Sequence, residues 1–348
     1  VTLQSASGIR DNVIIQGANN SPTVTINNSS TGTTLSGFTI THTGGDTGRG
    51  IYIGSGNLII DNCIISGNST DYGGGIYNNN GTLTITSSTT IYDNTATDYG
   101  GGIYNYAGTL TITSSTISGN TATDQGGGIR NKGTLTVTSS TISDNTAAYG
   151  GGIFNNGTLN ITSSTISSNT ADSGGGGICN FGKTLTITSS TISSNTADYG
   201  GGIYNYTNST LTITSSSDIS DNTAAYGGGI SNKGTLTITS STISGNTADY
   251  NGGGIQNYGT LTITSSSTIS GNTAAEYGGG IYDRTSDSGT LTITGSTISG
   301  NNVSQQGGGI YLTGTGTITI GGNSDTDPDN NTFTDNKKDG IILADQHI

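Results

Sequence analysis

Asp283, Arg284 and Asp287 stand together in the longest insertion of the chain, between Ile281 and Leu291. Two carboxylates can cleave a glycosidic bond by acid–base chemistry, one group donating and one accepting a proton. A solvated loop that tolerates insertion carries the same residue types for solubility alone. His42 and His347 lie near opposite ends of the sequence, which suggests neither a histidine triad nor a histidine metal site. A row of acids, Asp71, Asp98, Asp124, Asp172, Asp198, Asp249 and Glu276, recurs at one turn position and is interrupted by Ala148 and Ala225. Stacked carboxylates repel one another, so bound calcium would relieve them; otherwise they make an acidic edge facing water. The glycine-rich calcium nonapeptides are absent, so the expectation is no cofactor, with calcium the one candidate. The GGG runs lead into strands and lack a following Lys-Ser/Thr, which excludes a phosphate loop. Arg130, Lys132, Lys183 and Lys233 read as solubilising turn residues. No copy of the repeat departs from the pattern enough to make an active site, and the chain is expected not to be an enzyme.

The elements that position these residues follow from one repeated phrase. The isoleucine closing GGGI returns at Ile76, Ile103, Ile129, Ile153, Ile178, Ile203, Ile230, Ile255, Ile281 and Ile310, at gaps of 24 to 29 residues, with Ile51 a degenerate earlier copy. Within a repeat the apolar residues are Ile103, Leu110, Ile112 and Ile117, and TLTIT alternates strictly, as a strand with one buried face does. No helical period occurs. GIYN, TLTIT and STIS therefore read as three short strands parted by Gly, Asn and Ser turns. Such strands are stable only when each pairs with its copy in the next repeat, which defines an all-β right-handed parallel β-helix of three parallel sheets and about 12–13 coils, a rod on the order of 60 Å long. One domain is expected over 1–348: degenerate coils at 1–50, regular repeats at 51–320 and a final coil at 321–348. Two asparagine series, Asn68 to Asn301 and Asn78 to Asn257, recur once per coil and read as ladders that satisfy turn backbone. Cys63 is placed at the Thr of STIS and Cys179 after the GGGI isoleucine, about four coils or roughly 19 Å apart, beyond disulfide reach.

The GGGI, TLTIT and SxNTA elements resemble the repeats of bacterial right-handed β-helix surface proteins, including the polymorphic outer-membrane proteins with GGAI and FxxN motifs; here the second motif is IxxN, as in Ile117 to Asn120. VTLQSASGIRDNVIIQG and TLSGFTIT resemble the opening coils of the pectate-lyase-like superfamily, in which an amphipathic cap and a further strand usually come first. The resemblance implies the fold, and its members include adhesins and enzymes alike. The outward threonines of TLTIT form a grid, among them Thr109, Thr111, Thr113, Thr184, Thr186, Thr188, Thr235, Thr237 and Thr239, with Asn160 the exception. Its spacing of about 4.8 Å by twice about 3.3 Å resembles the ice-binding face of β-solenoid antifreeze proteins. Thr also suits any exposed strand. Two tyrosine rows, one before the glycines and one after GGGI, offer exposed rings for a sugar or a partner.

Composition sets the remaining bounds. Only 29% of residues are hydrophobic, 60 are glycine, and a net charge of −13 with 9 basic residues offers no footprint for nucleic acid or an anionic membrane. No apolar run spans a bilayer. The sequence opens at Val1 in strand-like VTLQ, so a leader or more is expected to precede it. The leading expectation is a non-catalytic, extracellular or cell-surface bacterial or archaeal solenoid, an adhesin-like stalk or filament subunit. Self-association is expected head to tail through Val1, Thr2, Leu3, Gln4 and Ile341, Ile342, Leu343, Ala344, with a host or cell-surface protein or glycan as a further partner. Ice binding by the threonine grid, and polysaccharide binding or degradation, are the alternatives.

Overall fold

The computed structural model describes residues 1–5, 10, 13–27, 29–42, 47–284, 289–313, 315–321, 331–337 and 340–343. The chain divides into two compact units, Val1–Thr170 and Ala171–Ile348. Both follow one construction rule.

In the first unit a coil runs through Thr109–Thr113, Thr116–Ser118 and Thr121–Ala122 to Ile129–Asn131, then begins again at Thr134–Thr138. Each strand pairs in parallel with its copy one coil away. Thr109, Leu110, Thr111, Ile112 and Thr113 lie opposite Thr134, Leu135, Thr136, Val137 and Thr138, and Thr116–Ser118 lies opposite Thr141–Ser143. Ile103–Asn105 lies opposite Ile129–Asn131. Three parallel sheets result, as expected, and the NTA segments add a short fourth ladder in which Thr95 and Ala96 pair with Thr121 and Ala122. The sequence pattern conceals that fourth ladder because its inward residue is small: Ala96, Ala122 and Ala147 pack on one another out of water. The second unit repeats the scheme, with Thr184–Thr188 opposite Thr210–Thr214 and Ile178–Asn180 opposite Ile203–Asn205.

The core is a column of like on like. Ile103, Leu110, Ile112 and Ile117 are completely buried, as are Ile203, Leu211, Ile213 and Ile219 in the second unit. Burying each such side chain is worth roughly 1.5–3 kcal/mol. The turns between strands are tight. Ser114, Ser139, Ser189 and Ser240 adopt left-handed backbone with φ of 47 to 49°, a conformation that lets one residue turn the corner between sheets. The GGG run has a steric cause: Gly100 has φ 67°, and a Cβ at Gly101 would stand 2.4 Å from the Thr121 carbonyl oxygen.

Asparagines fill the corners. Asn195 donates to Asn222 Oδ1 from both its backbone N–H (3.0 Å) and its Nδ2 (2.9 Å). Asn222 in turn donates from Nδ2 to the Ile192 carbonyl (2.9 Å) and to Asn246 Oδ1 (2.9 Å). The second series behaves alike, Asn205 Nδ2 donating to Asn232 Oδ1 at 2.8 Å and Asn232 Nδ2 to Asn257 Oδ1 at 2.7 Å. A third polar column emerges from the structure: the Ser115 N–H donates to Ser140 Oγ (3.2 Å) and the Ser140 N–H to Ser164 Oγ (3.2 Å). Cys63 belongs to this column, its N–H donating to Thr89 Oγ1 at 3.2 Å. It therefore replaces the Ser before STIS's threonine, one residue from the position assigned by the pattern. Cys63 and Cys179 are both free and buried.

Asn222→Ala leaves the Asn195 N–H and the Ile192 carbonyl without these side-chain partners, at about 1–3 kcal/mol for each buried group left unpaired. Amide exchange in the flanking coils is expected to report a local destabilisation of about 2–4 kcal/mol, whereas Thr212→Ala on the outer face changes it by less than about 0.5 kcal/mol.

Candidate functional site

Asp283 does not reach a substrate. It ends the strand Ile281–Asp283, is completely buried, and takes the rung that asparagine holds in earlier coils: Asn257 Nδ2 donates to its Oδ2 at 2.7 Å. The reason is register. Asp283 lies opposite Asn257, so its side chain points into the corner like every residue of that series. Arg284 is exposed on the following turn, and Asp287 lies outside the described residues. The carboxylate pair inferred from spacing is thus not assembled among the described residues.

His42 is likewise part of the frame. Buried, it precedes Asn68 in the first asparagine column, with Nδ1 3.2 Å from Asn68 Oδ1 and 3.1 Å from Thr23 Oγ1. Its Nε2 is 2.9 Å from the Ser21 carbonyl oxygen. His347 lies outside the described residues. The acidic row faces solvent or is half-buried, and hydroxyl donors attend its first members. Thr97 Oγ1 donates to Asp71 Oδ1 at 2.8 Å. The Tyr72 hydroxyl bonds Asp98, which holds that phenol's pKa above its usual value. Among the described residues no three His, Cys, Asp or Glu side chains come together as a metal-holding group.

The threonine grid is in register within each unit. Thr82 and Thr84 lie opposite Thr109 and Thr111; in the second unit Thr184, Thr186 and Thr188 lie opposite Thr210, Thr212 and Thr214, and Thr235, Thr237 and Thr239 opposite Thr260, Thr262 and Thr264. Hydroxyls of adjacent rows meet at 3.4 Å in Thr188 with Thr214 and in Thr239 with Thr264. The grid ends where Asn57, Ile59 and Asp61 replace threonine opposite Thr82, Thr84 and Thr86.

The tyrosine rows require a correction. The row before the glycines is exposed at Tyr72, Tyr149, Tyr199 and Tyr250, but in the row after GGGI Tyr104, Phe154, Tyr204, Tyr282 and Tyr311 are buried. Rings from both rows and from the next turn cover one another: Tyr104 stacks on Tyr77 at 5.2 Å and meets Tyr99 and Tyr106 at 6.1 and 5.8 Å. Two cations taken for solubilising turn residues are built into these stacks. Arg130, on the strand Ile129–Asn131 and buried, lies 4.4 Å from the Phe154 ring centroid, and Lys132 lies 4.3 Å from that of Tyr106. The ring-on-ring cover takes the side chain after the isoleucine out of water.

Of the residues expected to mediate assembly, Thr2–Gln4 pairs with Thr34–Ser36 and Ile341–Leu343 with Ile310–Leu312. Val1 and Leu3 are exposed, as is Ile341. Ala344 lies outside the described residues.

Stacked parallel coils with asparagine corners define a β-solenoid. A family model described as "Right handed beta helix region" matches residues 23–184 and 171–325, and the chain belongs to that family. No curated protein and no solved structure matches the chain.

Burial drives the Tyr104 phenol up to about 12, partly opposed by Arg130. The folded state therefore keeps this proton longer than the unfolded chain, whose tyrosine titrates near 10. The stabilisation is complete below about pH 10 and is lost as pH rises towards 12. Chemical denaturation between pH 9 and 12 is expected to show stability falling over that window in the first unit, with a shallower fall in Tyr104→Phe.

Proposed function

We propose that the protein is a non-catalytic structural solenoid of the cell surface or extracellular space, acting as an adhesin-like stalk or as the subunit of a filament. The observation that supports this reading most directly is Asp283: the residue best suited to acid–base chemistry serves as a rung of a buried ladder, bonded by Asn257. The polar interior binds coil to coil and leaves the repetitive exterior for contact with other molecules. In the filament form, subunits add through the backbone edges of Thr2–Gln4 and Ile341–Leu343, each of which is paired to a neighbouring coil within its own unit. An added strand extends such a parallel sheet. Electron microscopy of the native, full-length protein from its source is expected to show filaments with a constant axial repeat. Gln4→Pro and Ile341→Pro, whose N–H groups face the free edge because those of the alternate residues bond inward, remove a donor there and clash with an added strand, and are expected to abolish the filaments. Dispersed single particles from both wild type and variants would refute the filament form.

The in-register threonine rows favour a second reading, ice binding by the TLTIT face. Thermal hysteresis is its measurement. Thr186→Tyr or Thr237→Tyr, placing a bulky ring in mid-grid, is expected to suppress it, and unchanged hysteresis would exclude that face.

A further inference from the structure

The composition leaves tyrosine as the side chain that a one-electron oxidant meets first. The sequence has 17 tyrosines but no methionine and no tryptophan, and both cysteines are free and buried. In most proteins an exposed thioether or an accessible thiolate takes up oxidant before a phenol does. Here that protection is missing, so exposure and surroundings decide which phenol reacts.

In the second unit three tyrosines form a stack at the turn before the glycines. Tyr199 ends the strand Thr196–Tyr199 and lies opposite Tyr226, the end of Thr223–Tyr226. Their ring centroids are 5.3 Å apart with the planes at 12°, and Tyr226 stacks on Tyr250 at 4.8 Å and 17°. Tyr226 is half-buried, whereas Tyr199 and Tyr250 are 38% and 43% exposed. Tyr149 holds the equivalent turn position in the first unit and is 37% exposed, but among the described residues no ring lies against it. The two ends of the stack differ in charge. Lys233 Nζ lies 5.5 Å from the Tyr199 centroid. At the other end Asp249 precedes Tyr250, and the Glu276 N–H donates to the Tyr250 carbonyl at 2.9 Å. Loss of an electron leaves a positive hole, which a face-to-face ring shares, a nearby carboxylate favours and a nearby ammonium opposes. Tyr250 therefore combines the greatest exposure with a stacked neighbour and acidic surroundings.

We propose that Tyr250, backed by Tyr226, is a site of oxidative coupling through which two copies of the chain become joined by a dityrosine bond, with a haem peroxidase and hydrogen peroxide as the oxidant. Each phenol gives up one electron and its hydroxyl proton and becomes a phenoxyl radical. Two radicals join through ring carbons ortho to oxygen, and the proton on each joined carbon moves to its own oxygen as the ring regains aromaticity. The peroxide takes the two electrons and the two hydroxyl protons, so two phenols and one hydrogen peroxide give one dityrosine and two waters. The bond does not close within the stack. In a dityrosine the rings extend away from each other across the new bond, which holds their Cβ atoms further apart than the about 4.8 Å between adjoining coils. The partner ring therefore comes from a second copy. The step needs only that two copies meet, and it is independent of whether the chain serves as a stalk or as a filament subunit.

The test treats an equal mixture of unlabelled and heavy-nitrogen-labelled full chain with a haem peroxidase and hydrogen peroxide. Dityrosine fluorescence, denaturing gels and mass-spectrometric mapping of the joined peptides are the readouts. Covalent dimers are expected, with mixed-label peptide pairs and Tyr250 in most of them. Tyr250→Phe is expected to remove most of the dimer. Tyr226→Leu, which takes away the stacked ring and leaves Tyr250 in place, is expected to lower the yield about threefold or more. Tyr226→Phe, which keeps the packing but is harder to oxidise, is expected to lower it in the same direction. Tyr149→Phe, of nearly equal exposure, is the matched control and is expected to couple as wild type, with unchanged circular dichroism in all the variants. Absence of dityrosine, same-label pairs alone, links that map mainly to tyrosines outside the stack, or a yield indifferent to both Tyr226 substitutions would overturn the proposal.

Discussion

A buried asparagine that must find its partner in the next coil is the constraint on which this structure depends. Asn222 offers two amide hydrogens and an oxygen in a corner sealed from water, and all three are engaged: Asn195 below, Asn246 above and the Ile192 carbonyl beside it. An unpaired polar group there is costly, so each rung is stable only when the adjoining coil presents the same residue at the same register. A slip of one residue would also turn Leu211 and Ile213 outwards and drive threonine inwards. The ladder and the aliphatic column therefore enforce one another, and every strand must keep its length. Variation in the repeat, from 24 to 29 residues, is confined to turns that the ladder leaves outside.

That confinement decides where function can reside. Strands whose copies are interchangeable present uniform faces, as the threonine rows do, suited to a surface or partner that is itself periodic. Individual character comes from turns. The insertion at Thr207–Ser209 borders a recess over the shorter turns Lys233-Gly234 and Tyr258-Gly259. Arg130, Lys132 and Lys233 are stabilised over aromatic rings, so a chain with few cations holds several of them on one side of the GIYN strands. Aromatic rows that cover one another also shield that side of the solenoid, which is why Tyr104 titrates so late.

Much of this was legible in the residues. The alternation of TLTIT, the once-per-coil Ile and the recurring Asn specified parallel stacking, the buried column and both amide ladders, because each depends only on identity at a fixed period. That both cysteines are free followed from the same counting. The fourth ladder was not legible, since Ala96 and Ala122 carry too little apolar surface to mark a strand. Nor was the serine column, because Ser115 and Ser140 have the composition of an ordinary turn. The roles of Asp283 and Tyr104 were misread for one reason: spacing along the chain says which residues lie near in sequence, while the direction of a side chain is set by the coil beneath it.

By itself, then, the sequence determined the architecture, since a repeat that buries four aliphatics and two asparagines per coil has no other way to pair its short strands. Only the tertiary structure decided which departures from the repeat matter. It drew Asp283 into the corner through its register with Asn257, buried the second tyrosine row under neighbouring rings, and aligned Lys233, Tyr258 and Arg284 from three separate coils into one column. Those outcomes rest on contacts between residues some 25 positions apart, brought together by hydrogen bonds from coil to coil, and a linear reading contains the residues of such a contact without their juxtaposition.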